Sequence, residues 1–174
     1  EIAGDSLRLT ELGARFGSSP VHISGLLLEM AQPARARYDV RLNAKVDLHE
    51  ITRVAPMPPG TSLTGHAEVD LRLRGRVARP DGVALEGLVA LHDVEIRTAE
   101  LGQPIRAEAR LIGAGTALRV ESAQLRAGPS EVHLTGSIWP ALPPRLPRIA
   151  LTATTQRLDL VALLQLQFAP RVAQ

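Results

Sequence analysis

Residues 62–77 read SLTGHAEVDLRLRGRV, a run that alternates without a break. Its odd positions hold Leu63, Gly65, Ala67, Val69, Leu71, Leu73, Gly75 and Val77, and its even positions hold Ser62, Thr64, His66, Glu68, Asp70, Arg72, Arg74 and Arg76. Side chains alternate across a strand with period two, so one face is apolar or small and the other polar. A helix, with period 3.6, would scatter the same residues around its circumference. The run therefore predicts a long amphipathic β-strand.

Moving outward, most of the chain obeys the same rule. Tyr38 to Leu48 alternates cleanly, and Pro20 to Leu28 puts Val21, Ile23, Gly25 and Leu27 on one face. A shorter strand starts at Ser6 to Leu9. Beyond the opening run, Arg79-Pro80-Asp81-Gly82 has the composition of a turn. Val83 to Arg97 follows, its apolar phase slipping between Leu91 and Val94, so a bulge is expected near His92-Asp93. Ile105 to Leu111, a Gly113-Ala114-Gly115 turn, Glu131 to Trp139 and Arg148 to Thr154 continue the series. Short helices are expected at Leu48 to Val54, ended by the Pro56 to Gly60 breaker, and near Leu158 to Phe168. Asp47 and Asp159 read as carboxylates at their N-termini.

The chain also repeats. Residues 17–25 (GSSPVHISG) align with residues 128–136 (GPSEVHLTG) at an offset of 128 − 17 = 111, kept by Leu7 and Leu118. Val46-Asp47-Leu48 matches Leu158-Asp159-Leu160 at 112, one residue having been inserted. The two copies span about 6–48 and 117–160 of a single domain covering residues 1–174. A repeated strand module of this size predicts a sheet that grows by addition, cut from a longer array.

Composition narrows the function. Of 174 residues, 45% are hydrophobic but only 2% aromatic, so the apolar faces are aliphatic and smooth. The net charge of +2 comes from arginines interspersed with acids, which is a solvated strand face and not the concentrated basic surface that nucleic acid needs. Without cysteine there is neither a disulfide frame nor a thiol site. The histidines (His22, His49, His66, His92, His133) lack zinc-site spacing, and His22 and His133 fall at one repeat position on polar faces, as surface residues or as a pH-sensitive pair. Glu68 and Asp70 read as part of a charge ladder with Arg72 and Arg74, not as a glycosidase pair. No nucleophile elbow or phosphate loop is present, so no catalytic activity, cofactor or metal is expected.

The order of segments resembles the AsmA-like superfamily, which includes TamB-type and YhdP-type envelope proteins. The resemblance is carried by residues 85–94 (LEGLVALHDV), Leu118-Arg119-Val120, residues 128–136, residues 147–151 (PRIAL) and Leu158-Asp159-Leu160. It implies an elongated, curved antiparallel sheet forming an open groove with an aliphatic floor and short helices at the repeat ends. It also implies a periplasmic protein of the Gram-negative cell envelope, anchored in the inner membrane by a helix outside this sequence, that moves phospholipid between inner and outer membranes. The side chains expected to line the groove share one parity: Leu63, Val69, Leu71, Leu73, Val77, Leu85, Val89, Leu91, Ile105, Leu111, Val120, Val132, Leu134, Ile138, Ile149 and Leu151. The expected partners are phospholipid acyl chains and, through the sheet edges, other envelope proteins. An acyl chain gains about 0.8 kcal/mol per buried CH₂, so no polar anchor is needed to hold it. Two alternatives are a closed sandwich, in which the apolar face is ordinary core, and a non-transporting scaffold that recruits partner strands at its edges. An outer-membrane barrel would need aromatic girdles that four aromatics cannot supply.

Overall fold

The computed structural model describes residues 2–3, 5–54, 57–99, 103–141 and 146–157. It is a single open antiparallel sheet whose strands follow one another in chain order, with one short helix and neither closure nor curling. The strands are β1 (Ile2–Ala3), β2 (Ser6–Phe16), β3 (Ser19–Leu28), β4 (Arg37–Asp47), β5 (Ser62–Arg76), β6 (Arg79–Arg97), β7 (Ile105–Gly115), β8 (Ala117–Ala127), β9 (Ser130–Trp139) and β10 (Arg148–Arg157). Helix α1 (Leu48–Val54) lies between β4 and β5. The expected helix near Leu158 to Phe168, with Asp159, lies outside the described residues.

Register makes the faces continuous. Directly opposed residues in an antiparallel pair point to the same side. Ala14, Val21, Ala44, Val69, Val89, Leu111, Val120, Gly136 and Leu151 oppose one another in turn, a single row of small and apolar residues from β2 to β10. One extra residue in a strand inverts its faces. In β6 the pairing slips between Leu91 and Val94, where Asp93 takes a φ of 51°. That bulge returns Val94 and Ile96 to the apolar side, as the phase change in the sequence predicts.

Three sequence expectations need correction. The first strand does not stop at Leu9 but runs to Phe16, because a slip between Leu9 and Leu12 breaks the alternation while keeping both leucines on one face. The β5–β6 reversal is made by Val77 and Ala78, and Arg76 opposes Arg79. The Pro80-Asp81-Gly82 turn composition lies inside β6, where the register shifts between Arg74 and Arg76, so it makes an irregularity and not the hairpin. Likewise β7 extends through Gly113 and Ala114, which pair with Gly87 and Glu86. Strand pairing overrides turn propensity at both places.

The offset of 111 separates elements as well as letters. Strands β2, β3 and β4 begin at Ser6, Ser19 and Arg37, and β8, β9 and β10 at Ala117, Ser130 and Arg148. The slip between Leu9 and Leu12 recurs between Val120 and Ala123, again 111 residues on.

Helix α1 starts where β4 ends. The Asp47 carboxylate accepts the His49 N–H at 2.9 Å, an N-terminal cap, and Glu50 and Arg53 pair across the helix at 3.2 Å. Its Leu48 is buried with Ala67 and Val94, and Val46, Ile51, Leu63, Leu91, Ile96 and Ala107 pack against them. The helix thus covers one end of the apolar face. Leu48→Ala is expected to cost about 3 kcal/mol in urea unfolding; a change under about 0.5 kcal/mol would show that α1 is not docked in solution.

Candidate functional site

The candidate site is the apolar face. All the expected lining residues except Val77 lie on it. Val77 stands in the β5–β6 turn, 55% exposed, its N–H donated to the Ala36 carbonyl at 2.9 Å. Exposure divides the remainder. Leu85 (1% exposed) and Val120 are buried within the sheet, and Leu63 and Leu91 pack in the α1 cluster, so none of the four offers a free surface. Val69, Leu71, Leu73, Val89, Ile105, Leu111, Val132, Leu134 and Ile138 are half-buried, while Ile149 and Leu151 are exposed. Among the described residues no second sheet covers this face. It is an apolar surface with one end roofed by a helix. Tyr38 stands at the opposite end, beside Gly75, where partial burial raises its phenol above the usual value.

The other face is a lattice of opposite charges, and it runs across strands instead of along β5 alone. Arg41 on β4 forks onto Asp70 on β5 at 3.0 and 2.8 Å, and Arg72 on β5 returns onto Asp39 on β4 at 2.7 and 2.6 Å. Lys45 meets Glu68 at 3.1 Å, Arg74 reaches Glu86, and Arg110 meets Glu121 at 2.7 Å. The hydrogen bond from Arg72 holds the Asp39 carboxyl below the usual carboxylate range, and Arg41 does the same for Asp70. Arg97, and less strongly Arg106, lowers Glu95. The ladder reading of Glu68 and Asp70 therefore needs cross-strand partners, which only register reveals.

Lowered carboxyl values fix the pH dependence. Asp39 and Asp70 stabilise the fold above the unfolded aspartate value of about 3.9, and that contribution is lost as pH falls through it toward their lower folded values. The unfolding midpoint is expected to be level from about pH 7 to 5 and to drop below about pH 4. In an Asp39→Asn, Asp70→Asn variant the drop should be shallower; an unchanged slope would assign acid sensitivity to other groups.

The histidines follow their strands. His22 meets Glu11 at 3.2 Å and His133 meets Glu131 at 2.9 Å, both on the charged face. They stand on β3 and β9 and are not neighbours, so they do not form a pair. The stacked rings are His66 and His92, opposed across β5 and β6 with centroids 5.3 Å apart, beside Glu68. The regular β5–β6 register opposes them just before the slip beyond His92, which a count along one strand does not show. Among the described residues no group of three or more His, Asp or Glu could hold a metal ion.

Fold and site together define a class: an open, single-layer antiparallel sheet with one apolar and one charged face. No protein-family model, curated protein or solved structure matches the chain.

Proposed function

We propose that the apolar face is a track for lipid acyl chains in a segment of an AsmA-like envelope protein, one that takes part in phospholipid transport between the inner and outer membranes. In this reading the open sheet is an elongated track, roofed at one end by the short helix α1. The observation that supports it best is the unbroken row of small and apolar residues from Ala14 to Leu151, in which Val21, Ala44, Val69, Val89 and Leu111 stay half-buried under no second layer among the described residues. A row kept in phase through three register slips is under a demand that an incidental surface would not impose. Aliphatic side chains without anchoring polar groups suit a tail that must slide, and a mid-length tail gains on the order of 10 kcal/mol gross from burial. The test is transfer of a fluorescent phospholipid from quenched donor vesicles to detergent-free protein. Emission should rise on transfer; no rise, from protein whose circular dichroism shows intact strands, would reject the track.

A second reading rests on the edges. Among the described residues the two-residue strand β1 lies along the outer side of β2 at Ser6 and Leu7, and no strand lies outside β10. Such edges accept strands from other chains, so a scaffold in envelope assembly is the alternative. Protein that captures a partner peptide yet takes up no lipid would favour it.

A further inference from the structure

The sheet has two rims of strand ends, and they differ in chemistry. At one rim stand the ends of β3, β5, β7 and β9 and the starts of β4, β6, β8 and β10. Eight large apolar side chains are exposed among the described residues, and six of them are at or beside this rim: Leu28, Met30, Val77, Trp139, Leu146 and Ile149. The same rim carries Arg35, Arg37, Arg76, Arg79 and Arg148, against Asp5, Glu29 and Asp81 in its sequence. Arg37 opposes Arg76, and Arg76 opposes Arg79, so three guanidinium groups stand side by side on adjacent strands. Like charges directly opposed repel one another, and an anion laid across them would remove that penalty. Arg37 is engaged by Glu29.

The opposite rim is balanced. There Glu50 pairs with Arg53, Glu95 with both Arg97 and Arg106, and Arg126 with Glu131. It is also the rim that α1 roofs. The arginine rim, by contrast, is held open and in shape by the backbone. Val77 donates to Ala36, Met30 donates to Asp5, and Ala141 donates to Thr116 at 2.9 Å.

We propose that the arginine rim docks on a membrane surface rich in anionic lipid, its arginines on the phosphates and Met30, Val77 and Trp139 at the headgroup level. Apolar and aromatic tips beside arginines are the chemistry of the membrane–water interface, where anionic lipid attracts each basic residue. The inference deepens the lipid-track reading by naming the end at which chains would pass between membrane and sheet, but it stands on different residues.

Trp139 is the only tryptophan and reports the contact without a label. Vesicles of phosphatidylcholine alone, and of phosphatidylcholine with about a third phosphatidylglycerol, are titrated into the protein. Trp139 emission and co-sedimentation are read together. The anionic vesicles should shift the emission to the blue and pellet the protein, with release in high salt. Arg76→Gln with Arg79→Gln should weaken this roughly thirty-fold, about fivefold for each arginine, at an unfolding midpoint no lower than that of the parent. Arg53→Gln with Arg97→Gln, at the other rim, should bind as the parent does. Equal binding to neutral vesicles, an unmoved Trp139 emission, or equal losses from both rims would overturn the proposal. Docking without phospholipid uptake would leave the rim standing and remove the track; uptake without docking would do the reverse.

Discussion

Replacing Gly25 or Gly136 by alanine is expected to destabilise the sheet by on the order of 3 kcal/mol each, a large fraction of the roughly 5–15 kcal/mol that holds a domain together. The two are the same residue of the repeat, 111 apart, and they share a backbone conformation, with φ of 149° and 148°. L side chains rarely adopt that region. A Cβ on Gly25 would press on the Asp39 carbonyl oxygen and sit 2.7 Å from the Val40 Cα; one on Gly136 would press on the Ala150 carbonyl oxygen, 2.9 Å from the Leu151 Cα. Both obstacles are backbone of the neighbouring strand, which cannot yield without giving up ladder hydrogen bonds. Gly13, with open space around it, is the control, and its alanine variant should be neutral or slightly stabilising. Similar small losses at all three positions would show that the strand glycines carry no such constraint.

Leu71→Asp together with Val89→Asp is expected to abolish phospholipid uptake. Leu71 and Val89 lie near the middle of the uncovered face, opposed to Gly87 and Val69 respectively, and away from the α1 cluster. An acyl chain crossing there would strip water from an unpaired carboxylate, at a cost of several kcal/mol that cancels much of the gain from its methylenes. Arg72→Gln, one residue along but on the charged face, should leave uptake intact while losing only the fork to Asp39. Because both face residues are half-exposed, the aspartate variant is expected to stay folded, which circular dichroism checks. Equal loss of uptake in the two variants would mean that the face is not the site.

The parity of Ser62–Arg76 was readable because fifteen residues pass without a break, and neighbouring strands inherit its phase. The α1 start was readable too, since Asp47 precedes the Leu48 and Ile51 spacing and caps the helix. What the letters hid depends on register. The Leu9–Leu12 slip disguised half of β2 as irregular chain. Pro80-Asp81-Gly82 looked like a reversal but lies within β6, the hairpin having already turned at Val77 and Ala78. Nothing local says that α1 folds back over Leu63 and Leu91 and takes them out of the open surface. The rim was equally invisible, because Arg37, Arg76 and Arg79 meet only when three strands align.

The most direct test of the lipid track is native mass spectrometry of protein purified without detergent, followed by solvent extraction and lipid analysis. The account predicts bound phospholipid in the parent and none in the Leu71→Asp, Val89→Asp variant. A clean mass for the bare chain, with no uptake from added liposomes, would contradict it.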